Sequence, residues 1–129
     1  MAFTTQIAEE ARKNTDFRRV VVTGQHSQVV LMSIPAGGEI GAETHDTVDQ
    51  TLVFVSGEGE AILDGNRQPV KANTLCFVPA GTRHNFVNTG AEPLQLYTVY
   101  APPQHAPGVT QHTKADADAA EAAEQPTQR

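Results

Sequence analysis

The stretch GGEIGAETHDTVDQTLVFVSG, residues 37–57, decides how this chain is read. It begins in a glycine turn after Pro35, passes through Glu43 and His45, and ends in the apolar run Thr51 to Val55, closed by Gly57. A short β-branched and aromatic run bounded by turn residues reads as a strand. Glu43 and His45 stand two apart in extended chain, so their side chains share a face with Cα atoms ~6.6 Å apart, close enough for both to converge on one ion. Gln50 opens the next strand, with Leu52 and Phe54 on its own face.

Outward from this stretch the same grammar repeats. Val20 to Val22, Gln28 to Ile34, Gln50 to Ser56, Glu60 to Asp64, Leu75 to Val78, His84 to Asn88 and Leu94 to Tyr100 are short runs separated by Gly, Pro, Asn or Asp. Asp64-Gly65-Asn66 is a hairpin signal, because Asp-Gly tolerates the positive φ values of a tight turn. Many short strands with no helix of useful length between them predict an antiparallel sandwich or barrel. Ahead of them, Ile7, Ala8 and Ala11 recur at helical spacing within Thr5 to Asn14, with Thr4 or Thr5 as the expected N-cap and Asn14 as the stop. After Tyr100 the chain turns rich in Pro. Lys114 to Glu124 is an Ala, Asp and Glu tract without a large apolar residue, expected as a solvated helix or a disordered tail. The expected division is a helical arm at 1–16, a β-domain at 17–103 and a flexible or helical acidic tail at 104–129.

Composition excludes several functions. The 129 residues carry 9 Lys and Arg against 15 Asp and Glu, a formal charge of −6. Between Gly24 and Gly108 only Arg67, Lys71 and Arg83 are basic, so there is no stripe for a phosphate backbone or an anionic lipid surface, and no nucleic-acid or membrane partner is expected. One Cys excludes a disulfide framework and a cysteine-based zinc site. Cys76, alternating within Leu75 to Val78, is expected as a small core residue. With no signal-like segment after Met1 and no apolar run long enough to span a bilayer, the expected compartment is the cytoplasm.

A second stretch, NTLCFVPAGTRHNFVN at 73–88, pairs with the first. Gly37, Glu43, His45, Gln50 and Gly57, followed by Asn73, Pro79, Gly81, His84 and Asn88, stand at the spacings of the two motifs of the cupin superfamily, and the chain resembles a small single-domain cupin from about Val29 to Tyr100. Three positions depart from the family pattern: Glu43 stands for His, Gln50 for Glu and Asn73 for Gly. Asn73 is a mild change, since Asn accepts a left-handed turn. The other two compensate in charge: the carboxylate moves from the fourth motif position to the first, and the charge offered to an ion is unchanged.

The resemblance implies an all-β, double-stranded β-helix (jelly-roll) barrel with a short N-terminal helix and a flexible acidic tail. It further implies one divalent transition metal (Fe, Mn, Ni or Zn) held by Glu43, His45, Gln50 and His84, with Leu52, Phe54 and Phe86 walling the pocket. Two His and one carboxylate suit non-haem Fe(II), although the same donors accept the other metals. Read without the resemblance, Glu43 is an ordinary loop acid and Gln50 a structural amide; the resemblance also offers Asp49 as a substitute for Gln50, at a parity opposed to Leu52 and Phe54. His26, His105 and His112 lie outside both motifs and are expected to carry no chemistry. The expected function is a metal-dependent enzyme on a small organic molecule, of dioxygenase or of isomerase or lyase type. The alternative is a non-catalytic small-molecule-binding or sensor module. Exposed strand edges and the N-terminal arm, as in other small cupins, imply a homodimer.

Overall fold

A computed structural model of the chain describes residues 2–124. Helix α1 spans Ile7–Lys13. Strands β1 to β9 span Arg18–Thr23, Gln28–Ile34, Asp49–Ser56, Glu58–Leu63, Asn66–Lys71, Leu75–Val78, His84–Asn88, Leu94–Ala101 and Thr110–Gln111, and helix α2 spans Lys114–Glu124. One sheet runs in the order β6-β3-β8-β2-β1-β9 and the other β5-β4-β7. Every pairing is antiparallel. Isolated bridges from Glu39 to Val87 and from Glu43 to His84 lay the segment before β3 along β7. The expected strand through Glu43 and His45 is thus reduced to single bridges, yet the alternation survives: both are half-buried and Thr44 between them is exposed.

The inward faces of the two sheets close on one core that includes Val30, Met32, Ile34, Leu52, Phe54, Phe86, Leu94 and Leu96. Phe54 and Phe86 meet across it with ring centroids 5.8 Å apart. Fully burying side chains of this size contributes about 1.5–3 kcal/mol each. Strand β2 reads as an unbroken apolar run because both of its faces are covered: Val30 and Met32 face the core, while Leu31 is buried on the side where α1 packs against β2 and β8. Gln95 fastens that helix, its Nε2 donating to the carbonyl oxygens of Arg12 at 3.0 Å and Asn14 at 2.9 Å. This is the antiparallel sandwich or barrel expected from the strand pattern, in the jelly-roll form that the resemblance implies.

Four local features differ from expectation. The N-cap of α1 is Gln6, with no side-chain cap, in place of Thr4 or Thr5; Asn14 does end the helix. The hairpin forms at Asp64 and Gly65, both at positive φ (48° and 83°), but it leads into β5, a strand the polar sequence concealed. In β5 only Val70 is buried, and Pro69 is tolerated because the strand lies at a sheet edge. Strand β9 is two residues long, too short for any periodicity. Finally, the segment after Tyr100 docks on the barrel. Gln28, fully buried, accepts from the backbone N–H of His105 at 2.9 Å and donates to its carbonyl at 2.7 Å, and the Val20 N–H donates to the Val109 carbonyl at 2.8 Å. The Ala-rich tract is helical and buries Ala117 against the core. Residues 125–129 of the expected tail lie outside the described residues. No helix among the described residues is long and apolar enough to cross a membrane.

Candidate metal centre and adjoining cavity

The backbone brings the two motifs together before any side chain is considered. Glu43 and His84 exchange N–H to carbonyl hydrogen bonds at 2.9 Å in each direction. The Gly81 N–H donates to the His45 carbonyl at 2.8 Å, from a turn in which Gly81 takes φ +88°. Asp49 stabilises the same turn from outside: it is exposed, and its carboxylate accepts from the Ala80 N–H at 2.9 Å. Asp49 is therefore a turn clamp and does not substitute for Gln50. Asn88 also serves structure, donating to the carbonyl oxygens of Ile34 and Glu92 and accepting from the Gly90 N–H. Asn73 takes the left-handed conformation, with φ 71°.

On this frame Glu43, His45 and His84 present one ligand atom each, all within 4.8 Å of one another. Oε1 of Glu43 lies 3.5 Å from Nε2 of His45 and 4.0 Å from Nε2 of His84. The tautomer of His84 is fixed by its surroundings. Its Nδ1 lies 2.8 Å from the Thr82 carbonyl, which can only accept, so Nδ1 carries the proton and Nε2 is left a bare lone pair. Burial opposes the charge of Glu43, but the hydrogen-bonding and charge of His45, with Arg18 and His84, hold its carboxyl below the usual value.

Gln50 is buried and its amide orientation is also determined. The Thr98 hydroxyl donates to the Thr51 carbonyl at 2.9 Å, so its oxygen accepts from Gln50 Nε2 at 3.1 Å. That leaves Gln50 Oε1 buried with no partner, in the same condition as Nε2 of His45 and Nε2 of His84. Three buried polar atoms without a close partner, two of them (His84 Nε2 and Gln50 Oε1) bare acceptors, beside an ionised carboxylate fit a cation.

A cavity of about 330 Å³ opens beside the cluster. Its walls are Arg18 of β1, Glu43 to His45, the segment Gln104 to Ala106, Val109 and Gln111, and the α2 residues Ala117, Ala120 and Glu121. The expected wall residues Leu52, Phe54 and Phe86 are fully buried in the core and do not line it. Strand parity and the family pattern place them on the inner face without saying how deep. Tyr100 sits between His45 and His105, with ring centroids at 6.1 and 5.0 Å. Burial pushes its phenol far above the usual value, so it stays neutral. His105, set aside on sequence, belongs to the cavity; burial first, and then the Arg18 charge, bring its imidazole down to about 3. No motif marks His105. Arg18 left one legible signal, a charge two residues before Val20 on the same face of its strand.

A model of the Cupin_2 family, described as the cupin domain, matches residues 30–100. The chain is 42% identical over 125 residues to the uncharacterized protein YrkC of Bacillus subtilis, covering 92% of this chain and 67% of that one. It is 36% identical over 110 residues to the uncharacterized protein L612 of Acanthamoeba polyphaga mimivirus, covering 82% of this chain and 69% of that one. Its fold superposes on the crystal structure of BH2720 from Bacillus halodurans with a TM-score of 0.91 at 42% identity, over 92% and 95% of the two chains. A structure from Thermotoga maritima described as a predicted oxalate decarboxylase gives a TM-score of 0.57 at 27% identity, over 60% and 67%. With the jelly-roll, both motifs and the family match in agreement, the chain belongs to the Cupin_2 family of cupin domains.

Proposed function

We propose that this cupin binds one divalent transition metal through Glu43, His45 and His84, with the Gln50 carbonyl as a fourth donor, and that it acts as a metal-dependent enzyme on a small organic molecule in the adjoining cavity. The observation that carries this reading is the coincidence of three buried polar atoms without a close hydrogen-bond partner, His45 Nε2, His84 Nε2 and Gln50 Oε1, around one carboxylate. Leaving buried polar atoms unpaired costs about 1–3 kcal/mol each. A ligand that satisfies them together offsets that cost.

When bound, such an ion supplies Lewis acidity toward a carbonyl or enediol oxygen, or redox capacity toward dioxygen. The chain's own residues do the rest. Thr82 and Thr98 orient the His84 ring and the Gln50 amide, and Glu43 contributes the one negative charge of the cluster. Tyr100, neutral and edge-on to His45, limits the ring's freedom to turn. Helix α2, Gln104 to Ala106 and Val109 form walls of the cavity. Within this reading, lyase chemistry draws support from the Thermotoga maritima relative described as a predicted oxalate decarboxylase, and oxygenase chemistry from the two-His, one-carboxylate donor set.

The test is turnover by the metal-loaded protein on a panel of keto, hydroxy and enediol compounds, followed by oxygen uptake and by NMR of the products. The reading predicts turnover that disappears in His45→Ala/His84→Ala. Ligand binding without turnover, unchanged in that variant, would instead identify a binding or sensor module.

A further inference from the structure

Arg18 is a buried cation with no ion-pair contact among the described residues. On β1 it shares the inward face with Val20, while Arg19 between them is exposed, and its exposure is only 8%. A guanidinium removed from water needs an anion or a full set of acceptors. The fold supplies these only in part, with the Tyr100 phenol and the Glu43 charge nearby. Nη1 donates to Gln111 Oε1 at 3.0 Å and the Phe17 ring centroid lies 5.3 Å from Cζ, but Nε is buried with no partner. Among the described residues no carboxylate oxygen lies within 4.0 Å of it, and Glu43 stands instead against His45 and His84.

Arg18 also lines the same cavity as Glu43 and His45. The chamber thus holds a guanidinium without a carboxylate contact at one part of its wall and two members of the metal cluster at another. Beside Arg18 the cavity wall carries the neutral amides of Gln104 and Gln111 and His105, whose proton affinity burial lowers, and its acids, Glu43 and Glu121, make no contact with the guanidinium within 4.0 Å. One guanidinium with neutral amides at its side and no carboxylate in contact matches a single negative charge on a planar, two-oxygen group, the geometry that a guanidinium fork recognises. A phosphate dianion would call for more positive charge than this wall provides.

We propose that Arg18 anchors a carboxylate of the substrate, and that the substrate class is a small organic acid of the 2-oxo or 2-hydroxy type lying between Arg18 and the metal cluster. The proposal rests on the metal-site reading above for the second half of that placement. The first half stands on Arg18 alone.

The experiment is calorimetric titration of the full chain, loaded with metal, using pyruvate and lactate as probes, their methyl esters as neutral controls and inorganic phosphate as the competing anion. The free acids should bind at least about 10-fold more tightly than the esters, and Arg18→Gln should weaken them about 10- to 100-fold, as expected for a lost charge-assisted hydrogen bond. Arg18→Lys, which keeps the charge without the fork, should recover part of that loss. A second readout separates binding from structure: without ligand, Arg18→Gln should melt no lower than the wild type, since it removes a buried charge that no carboxylate contacts. Equal affinity for acids and esters, tighter binding of phosphate than of either acid, or a clear drop in melting temperature for both variants would overturn the proposal. Arg18-dependent binding of pyruvate by a protein that takes up no metal would support the anchor and overturn the metal reading; metal uptake with no Arg18-dependent binding would do the reverse.

Discussion

The Thr98 hydroxyl accepts from the Gln50 amide while donating to the Thr51 carbonyl, and this relay fixes which end of Gln50 is left free. An amide otherwise has two near-equivalent orientations. Here one of them would set two acceptors against each other.

Thr98→Val follows directly. The substitution keeps the volume but removes the acceptor, leaving the buried Gln50 NH₂ unpaired. The expected outcome is a loss of about 1–3 kcal/mol of stability, measured by urea unfolding. With the amide free to turn, metal affinity should also fall about 10- to 100-fold, measured by competition against a chelating dye.

Gln50→Glu tests the paired departures at Glu43 and Gln50 from the other side. It restores the acid that the family pattern carries and places a second carboxylate beside Glu43. Without metal the new charge is buried and faces Thr98, whose proton is already committed, so the protein should melt below the wild type. With metal the stabilisation should exceed that of the wild type, and metal content should be equal or higher. Loss of metal would show that Gln50 supports the cluster through its donated hydrogen bond instead.

The fold was legible because its signals are local. Gln28 to Ile34, Leu75 to Val78 and His84 to Asn88 match β2, β6 and β7 residue for residue, since each is a β-branched or aromatic run closed by turn residues. The assembly of Glu43, His45 and His84 was legible through motif spacing. What escaped was tertiary. Strand β5 is polar because it is an edge, and α2 docks through alanines that leave no amphipathic signature. The cavity walls, Arg18, His105 and Gln111, come from segments far apart in the chain, joined by Gln28 and the β1–β9 pairing. No spacing rule connects residues 18, 28 and 105.

The His105 imidazole carries a pH prediction. Its ordinary value of 6.5 is brought down to about 3, so the folded state resists a proton that the unfolded chain accepts. The stability that depends on the neutral ring is complete above about pH 6.5 and is lost as pH falls toward 3. The slope from this one group is at most about 1.4 kcal/mol per pH unit, less for its partial exposure. His105→Phe should flatten the acid limb of a melting-temperature profile between those limits relative to the wild type. Arg18, Glu43, His45 and Tyr100 face the ring in both proteins, so the difference between the two profiles isolates His105. An identical acid limb would mean the ring protonates freely in the fold.

The central claim is that Glu43, His45 and His84 hold one metal ion, and elemental analysis of the purified protein tests it most directly. The account predicts close to one divalent transition-metal ion per chain, abolished in His84→Ala and in His45→Ala/His84→Ala while circular dichroism shows the barrel intact. A wild-type protein that is free of metal and takes up none when offered iron, manganese, nickel or zinc would contradict it.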